Sequence, residues 1–259
     1  MISIDQKYFL IHFLMNVIEN DYICMLISMN MLNEENIDSN NDFLKSCSFF
    51  ENLSPHELTV IKRNNIGVIF KKDEVIYHRD SIVDRLLFVK EGFVKLMLLS
   101  NYKKNFILEF AGKGELVNVI FTGFHKTPIT AIAHCETQIF AIDIVVAREI
   151  MIKNPHFALD IMNHSTAAGL SRFQRIASIT LKQSRGKLAD ALFYNDTKLI
   201  DNDIPLKISR TDLAELANLS LENTVRTLKE FEKEKLIKLD KGFISIIDRN
   251  RLQKVSDNG

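Results

Sequence analysis

Cysteine is scarce in this chain, and the few that occur are far apart. The 259 residues include only Cys24, Cys47 and Cys135, separated by 23 and 88 positions. The number is odd and no CxxC pair occurs, which argues against a disulfide framework or a zinc ribbon. Reduced cysteines in a cytosol are the simplest interpretation.

The chain also lacks a net charge, because 33 basic side chains balance 33 acidic ones. No global basic field indicates nucleic acid, so any DNA-binding surface must be a local concentration of charge. Hydrophobic residues make up 46% and charged residues 25%, which is ordinary for a soluble globular protein. At roughly 100–200 residues per domain, the length predicts two domains, or one domain and a smaller module.

Long hydrophobic runs are absent as well. The apolar stretches at 9–18 and 22–32 are separated by Glu19, Asn20 and Asp21, and neither approaches the roughly 20 residues that span a bilayer. The N-terminal region shows neither a basic leader region nor a small-residue cleavage site, so we expect a cytoplasmic protein without membrane partners. Residues 1–41 are treated as an appendage: an amphipathic helix that covers another part, or the product of an upstream start codon. Later candidate starts are Met25, Met29 and Met31.

Catalytic signatures are missing too. The chain has no nucleophile–base motif, no metal-ligand spacing and no phosphate-binding glycine-rich loop. Gly112-Lys113-Gly114 lacks the rest of a P-loop and is more typical of a β-turn. We therefore expect a protein that is not an enzyme and holds no metal.

The segment before the central region is predicted to be a linker followed by helix. Residues 33–41 (NEENIDSNN) are polar and indicate a linker, and residues 43–63 look helical. Within them, Ser54 followed by Pro55 and Glu57 is a typical helix start.

Between Gly67 and Ile144 the pattern changes to short strands separated by turn residues. Several such strands at near-regular spacing predict a sandwich or barrel-like β module of about 80 residues. The predicted strands are Val68–Phe70, Val75–Tyr77, Arg85–Val89, Phe93–Leu99, Phe106–Phe110 and Thr137–Ile142.

A long helix is predicted over 155–183, starting at Pro155. Its residues repeat at spacings of three and four along one stripe, which matches about 3.6 residues per turn. The stripe comprises Leu159, Met162, Thr166, Leu170, Phe173, Ala177 and Leu181. Such a helix is either buried within one chain or paired with a copy of itself. A break is predicted at Ser184–Gly186, before a second helix at Lys187–Tyr194.

The most informative segment is 208–247, which predicts a helix-turn-helix with a wing. Ser209 and Asp212 resemble a capping box, and Ser220 is a candidate cap for a second helix that runs to about Lys235. Leu236–Asp240 and Phe243–Ile247 then alternate around a glycine-containing turn, as a hairpin does.

In a helix-turn-helix, the N-terminal turn of the second helix enters the major groove of DNA. The residues there are Ser220, Leu221, Glu222, Asn223 and Arg226. Arg226 can donate two hydrogen bonds to guanine and Glu222 can accept from cytosine. These two residues are four apart, so they can also orient each other. Candidate phosphate contacts are Arg210, Lys229 and Lys241. Each of these charges could instead be a solvated side chain.

These residues carry a resemblance to a known family. The run ISRTDLAELANLSLENTVRTLKEFEKEKLI resembles the DNA-binding motif of the Crp/Fnr regulators, and KKDEVIYHRDSIVDRLLFVKEGFVKL resembles their effector domain. The catabolite activator protein, a member of this family, binds DNA through such a helix-turn-helix. The resemblance spans roughly Phe43 to Asp248. It implies an α+β fold with a cyclic-nucleotide-binding-like β-roll (jelly roll), a long dimerisation helix and a winged helix-turn-helix.

The same resemblance argues against cyclic AMP as the effector. Members that bind it use a glutamate on the ribose and an arginine on the phosphate. Val119 and Ile129 occupy these positions, and only Thr130 of the cassette remains. A buried phosphate without a charge partner is unfavourable. The expected effector pocket is apolar, with Val119, Phe121, Ile129 and Thr130, and takes a small hydrophobic effector or none.

Other sensor chemistries stay open at this stage, and the cofactor is unknown. An iron–sulfur cluster needs four thiolates, which three widely spaced cysteines cannot supply within one chain. Cys135 as a redox thiol is an alternative, and so is haem. Candidate haem ligands are His78, His125, His134 and His156.

The sequence thus predicts a homodimeric, sequence-specific transcription regulator. The expected parts are the appendage (1–41), the β-roll effector domain (42–150), the dimerisation helix (151–184) and the winged helix-turn-helix (185–259). Expected partners are promoter DNA, a second copy and, for an activator, RNA polymerase. The alternative is a small-molecule-binding module whose helix-turn-helix contacts proteins instead of DNA.

Overall fold

The computed structural model describes residues 36–98, 105–118, 126–200, 208–240 and 243–259. Most of the predicted appendage lies outside these residues. The predicted linker at 33–41 is wrong where it can be compared, because helix α1 runs from Asn36 to Ser46. One of its polar residues bonds to the sheet: Asn40 accepts from the Lys90 ammonium at 2.8 Å and donates to Asn65 at 3.1 Å.

A short 3₁₀ turn (Ser48–Phe50) and helix α2 (Pro55–Arg63) complete the N-terminal helical segment. The start of α2 is confirmed: the Ser54 hydroxyl accepts from the Glu57 amide, and the Glu57 carboxylate accepts from the Ser54 amide at 2.7 Å. The predicted helical stretch at 43–63 is therefore interrupted, since Ser54 must take an extended conformation to cap α2.

Seven strands form the β-roll as two antiparallel sheets, with strand orders β1-β7-β3 and β2-β6-β4-β5. Their bounds are Asn65–Phe70 (β1), Val75–Tyr77 (β2), Arg85–Glu91 (β3), Val94–Leu98 (β4), Phe106–Ala111 (β5), Thr130–Ala133 (β6) and Thr137–Asp143 (β7). The sandwich-like β module is confirmed.

The sequence pattern did not reveal β6. Its four residues include Ala131 and Ala133, and alanine is depleted in strands. Both are buried, and β6 pairs with β2 and β4 at the centre of its sheet, so tertiary contacts outweigh the weak local preference. The turn between β3 and β4 requires glycine at position 92: the φ of Gly92 is +86°, and a Cβ would lie 2.5 Å from the Glu136 carbonyl oxygen.

Two helices follow the β-roll, α3 (Ile144–Lys153) and α4 (Pro155–Leu181). The start of α4 is set by Pro155 and by Asn154, whose side chain accepts from the Phe157 amide at 3.2 Å. One face of α4 is anchored on the β-roll core through the buried Phe157 and Ile161. The predicted long helix is confirmed, with its end two residues earlier than expected.

The C-terminal domain contains α5 (Ser184–Ile200), α6 (Arg210–Ala217), α7 (Leu221–Lys233), the hairpin β8 (Ile237–Asp240) and β9 (Phe243–Ile246), and α8 (Arg249–Asn258). The predicted helix-turn-helix and wing are confirmed. The chain break was expected too late, because Gly186 lies inside α5. A Cβ there would lie 2.9 Å from the Gly259 Cα, so glycine permits helix packing at this position and does not end the helix.

The last helix, α8, was not predicted because its sequence is almost entirely polar. Asp248 caps it by accepting from the Arg251 amide at 3.0 Å. Only one large apolar side chain, Leu252, is fully buried, in the core of the C-terminal domain. Among helices of the described ranges, none has the length and apolarity needed to cross a bilayer.

Candidate nucleic-acid interface

Local hydrogen bonds fix the first helix of the helix-turn-helix. The Ser209 hydroxyl accepts from the Asp212 amide at 3.0 Å and the Asp212 carboxylate accepts from the Ser209 amide, which confirms the capping box. Leu213 and Leu216 are fully buried beneath it. Asn218 ends α6 in the left-handed conformation (φ 53°), which turns the chain toward α7.

The second helix, α7, starts as predicted, because the Ser220 hydroxyl accepts from the Asn223 amide at 3.2 Å. Its inner face is buried through Thr224, Leu228 and Phe231. The opposite face exposes most of the predicted base-contacting side chains. Those exposed are Ser220, Leu221, Glu222 and Arg226, together with the candidate phosphate contact Lys229. This face of α7 is therefore exposed to solvent in the isolated chain.

Arg226 and Asn223 are linked differently from the expectation. The Arg226 guanidinium donates to the Asn223 side-chain oxygen at 3.1 Å and lies 4.0 Å from Glu230, so its nearest partners are not Glu222. Asn223 is half-buried and donates to the Ser184 hydroxyl at 3.0 Å. Its amide group is thus shared between α5 and Arg226. The Arg226 side chain remains 70% exposed.

Arg185, at the start of α5, holds the C-terminal half of α7. Its guanidinium donates to Glu230 at 3.1 Å and to Glu234 at 2.8 Å, and stacks 4.8 Å from the Phe231 ring centroid. Hydrogen bonds to Glu234 and Glu230, and the charges of these two carboxylates, raise the pKa of Arg185. The sequence pattern did not single out this residue, because its partners lie 45 to 49 positions away.

The other two candidate phosphate contacts are Arg210 and Lys241. Arg210, at the start of α6, is half-buried. Lys241, in the wing turn, lies outside the described residues. The wing itself presents Phe243, 47% exposed, beside that turn.

The predicted dimerisation stripe on α4 is exposed in the isolated chain. Leu159, Met162, Leu170 and Phe173 are 51, 62, 59 and 72% exposed. Thr166, between Met162 and Leu170, and Ala177, one turn after Phe173, are exposed as well. One face of α4 is thus anchored in the core, and the opposite face carries a continuous apolar stripe. Exposure of such a stripe to water is unfavourable.

The predicted effector pocket is only partly within the described residues. Val119 and Phe121 lie outside them, Ile129 is half-buried, and Thr130 is buried. The Thr130 hydroxyl accepts from the Arg79 amide at 3.0 Å. A cavity of about 40 Å³ nearby is lined mainly by apolar side chains of the β-roll, among them Val68, Tyr77 and Leu87.

A larger cavity, of about 240 Å³, lies where the β-roll meets the helices α4 and α5. Its lining includes Glu109 from β5, His164 and Ser171 from α4, and Tyr194 from α5. Glu109 pairs with Arg172 of α4. Burial raises the pKa of Tyr194, whose hydroxyl accepts from the Phe110 amide at 2.7 Å. This junction combines charged and aromatic groups from three elements.

The candidate redox and haem residues that the structure describes differ in exposure. Burial raises the pKa of the Cys47 thiol to about 11, while Cys135 is half-buried. His78 and His156 are exposed, His134 is buried against Phe110, and His125 is outside the described residues. Within the described ranges, no three His, Cys, Asp or Glu side chains cluster as a metal site would.

Comparisons with known proteins match both halves of the chain. Residues 68–154 match the family model of the cyclic nucleotide-binding domain, and residues 171–255 match that of the Crp-like helix-turn-helix domain. The nitrogen fixation regulation protein FixK of Bradyrhizobium diazoefficiens is 22% identical over 242 residues. That alignment covers 85% of this chain and 96% of FixK.

Solved structures share the fold. FixK2 from Bradyrhizobium japonicum superposes with a TM-score of 0.67 at 18% identity, covering 74% of this chain and 96% of that one. A transcriptional regulator of the Crp/Fnr family from Eubacterium rectale gives 0.64 at 22% identity, covering 82% and 98%. The expected order of β-roll, long helix and helix-turn-helix is therefore that of a known architecture.

Proposed function

We propose, from the premise that this chain belongs to the Crp/Fnr family of DNA-binding transcription regulators, that it binds promoter DNA as a homodimer through α7. The observation that carries this proposal is the exposed face of α7, with Arg226, Glu222 and Leu221 on one accessible surface. Donor, acceptor and apolar groups together are what base edges in the major groove require. Promoter DNA implies a cytoplasmic location and, for an activator, contact with RNA polymerase.

The second copy is needed for geometric reasons. A dimeric regulator reads two half-sites about 34 Å apart, so its two recognition helices must be held at that spacing. The exposed stripe on α4, from Leu159 to Ala177, is suited to pair with the same stripe of a second chain. Pairing also removes from water the exposed Phe173 and Leu170, which gives the dimer a hydrophobic driving force.

We infer that cyclic AMP is not the effector. By resemblance, Val119 and Ile129 stand at the positions of the glutamate and arginine that would hold the ribose and the phosphate. An apolar effector, or none, fits these residues better than a charged nucleotide.

Capture of genomic DNA fragments tests the DNA-binding proposal. The purified protein is incubated with sheared DNA, and bound fragments are sequenced for wild type, Arg226→Ala and Arg148→Ala. Arg148 is an exposed arginine on α3 and serves as the matched control. We expect a two-fold symmetric motif for wild type and Arg148→Ala. Arg226→Ala should lose preference at one position of each half-site, by about 1–3 kcal/mol.

Three other outcomes are informative. If wild type enriches a motif only after cell extract is added, an effector is required and the DNA-binding proposal stands. If a folded dimer enriches nothing in either condition, the alternative is favoured, in which the helix-turn-helix contacts proteins. Equal motifs for wild type and Arg226→Ala would remove α7 as the reading element.

A further inference from the structure

The DNA-binding domain and the β-roll share one hydrophobic core. Phe93, Met97, Ile107 and Phe110 of the β-roll belong to the same buried cluster as the α6 residues, such as Leu213. Helix α6 thus lies directly against the sheet. Its orientation relative to the β-roll and α4 depends on what fixes it at this surface, because apolar contacts are not directional.

The N-terminal end of α6 is fixed by a buried ion pair. Lys95, on β4, places its ammonium 3.3 Å from Asp212 Oδ1, and both side chains are only 11% exposed. Asp212 is the acid of the α6 capping box, and His134 Nδ1 lies 3.9 Å from its other oxygen. Asp73 also contacts the Lys95 ammonium, at 3.3 Å, but is largely exposed.

Electrostatics at this position favour the charged pair. Burial alone would raise the pKa of Asp212, but the Ser209 hydrogen bond and the nearby Lys95 and His134 hold it below its ordinary value. The neighbouring Glu215 shows the opposite shift, because burial and the Asp212 charge raise its pKa. Removing Lys95 would leave the Asp212 charge buried with weaker compensation.

The C-terminal end of α6 is fixed by a second cation. Arg175, from α4, donates to the Leu216 carbonyl at 2.7 Å and to the Ile107 carbonyl of β5 at 3.3 Å. Its guanidinium also stacks 4.7 Å from the Tyr194 ring centroid. The last carbonyls of a helix lack partners within the helix, so a cation there satisfies one of them and favours the helix dipole.

We propose that Lys95 is a positioning residue for DNA binding. It does not touch DNA, and it acts by fixing α6 on the β-roll through its ion pair with Asp212. This inference rests on the proposed function. Only the turn Asn218–Ser220 separates α6 from α7, so α7 follows the orientation of α6. Two half-sites can be occupied together only if each α7 keeps a defined orientation relative to its α4.

The test compares Lys95→Met, Lys95→Arg and Lys90→Met on the DNA fragment captured by wild type. Lys90→Met is the matched control: it also removes a partly buried lysine of the β-roll, one bonded to Asn40. We expect Lys95→Met to bind at least tenfold more weakly, with an unchanged dependence of affinity on salt. Lys95→Arg should bind within about threefold of wild type, and Lys90→Met within twofold.

Hydrogen–deuterium exchange of DNA-free protein supplies a second readout. Amides of α6 should exchange faster in Lys95→Met, whereas those of β1 and β7 should be unchanged. Asp212→Asn should behave like Lys95→Met, and it keeps an acceptor for Ser209, so it remains usable if Lys95→Met fails to fold.

Three results would overturn the inference. One is Lys95→Met or Asp212→Asn binding DNA within twofold of wild type, and another is unchanged α6 exchange in both variants. The third is a smaller slope of log affinity against log salt for Lys95→Met, reduced by the amount expected for the loss of one phosphate contact. That result would make Lys95 a direct DNA ligand. A wild-type protein that binds no DNA is a different failure, because it overturns the proposed function itself.

Discussion

At the scale of single residues, the proposal that α7 reads DNA rests on the side chains that this helix exposes. Arg226 suits guanine, Glu222 suits cytosine, and the 48% exposed Leu221 suits a thymine methyl group. Val225, between them in sequence, is half-buried and offers less surface to a ligand. The proposed base contacts therefore rest on Arg226, Glu222 and Leu221.

Cysteine chemistry can be tested at the same scale. With a pKa of about 11, roughly one Cys47 thiol in a thousand is ionised at pH 8, and only the thiolate reacts rapidly. We expect iodoacetamide at pH 8 to leave Cys47 unmodified in the folded protein and to alkylate it after unfolding in urea. Peptide mass spectrometry makes the comparison, with the half-buried Cys135 as the internal reference.

Rapid alkylation of Cys47 in the folded state would contradict its burial. The raised pKa of Cys47 also determines the direction in which the stability of the fold depends on pH. Since burial raises this pKa, the protonated thiol is the folded-state form, and ionisation destabilises the fold only as the pH rises above the unfolded value of 9.0.

Residues that act on their own neighbours could be predicted from the sequence, and residues that act across the fold could not. Ser54, Ser209 and Ser220 cap helices through partners three positions away, so their spacing reveals them. Lys95 and Arg185 have their decisive partners 117 and 45 to 49 positions away. No local pattern marks such pairs.

At the scale of elements, α4 combines two roles in one helix. Phe157 and Ile161 anchor its first turns in the β-roll core, while Leu170 and Phe173 stay exposed further along. Periodicity correctly predicted the stripe and left open whether a core or a second copy covers it. In the described part of the chain, the protein's own core does not cover the stripe, which argues against the first of these two alternatives.

Leu170→Glu tests the pairing of α4. Burying a leucine contributes roughly 1.5–3 kcal/mol, and each dimer would bury two. We expect the dimer dissociation constant to rise by at least about 100-fold, as measured by sedimentation equilibrium. DNA affinity should fall with it.

Ile152→Glu is the matched control, since Ile152 is 82% exposed on α3, off the stripe. It should leave the dimer intact. Equal dimerisation of Leu170→Glu and wild type would contradict the assignment of this stripe as the interface.

Elements without a strong local signal were the ones missed. The strand β6 is alanine-containing and only four residues long, and α8 is polar with a single fully buried leucine. Both exist because neighbouring elements supply the contacts: β6 lies between β2 and β4, and α8 packs on α5. Tertiary packing determines the secondary structure of such segments, and a short window of sequence does not show that packing.

At the scale of the whole molecule, the resemblance predicted the order of the parts but not how they are joined. The β-roll and the DNA-binding domain share a core, and α6 is held at one end by Lys95 and at the other by Arg175. A signal that alters the β-roll or α4 can therefore reach α6 through direct contacts. The cavity beside Glu109 and Tyr194 lies at the same junction.

The most direct test of the central claim is the affinity of the wild-type protein for its captured DNA fragment, measured by fluorescence anisotropy across 50–200 mM salt. With the candidate contacts Arg210, Lys229 and Lys241 on each of two chains, the proposal implies about six phosphate contacts, so log affinity should fall with log salt at a slope of about −5. Binding should saturate at two chains per site. A slope near zero, or no binding by a folded dimer with cell extract present, would contradict the account of this protein as a DNA-binding regulator.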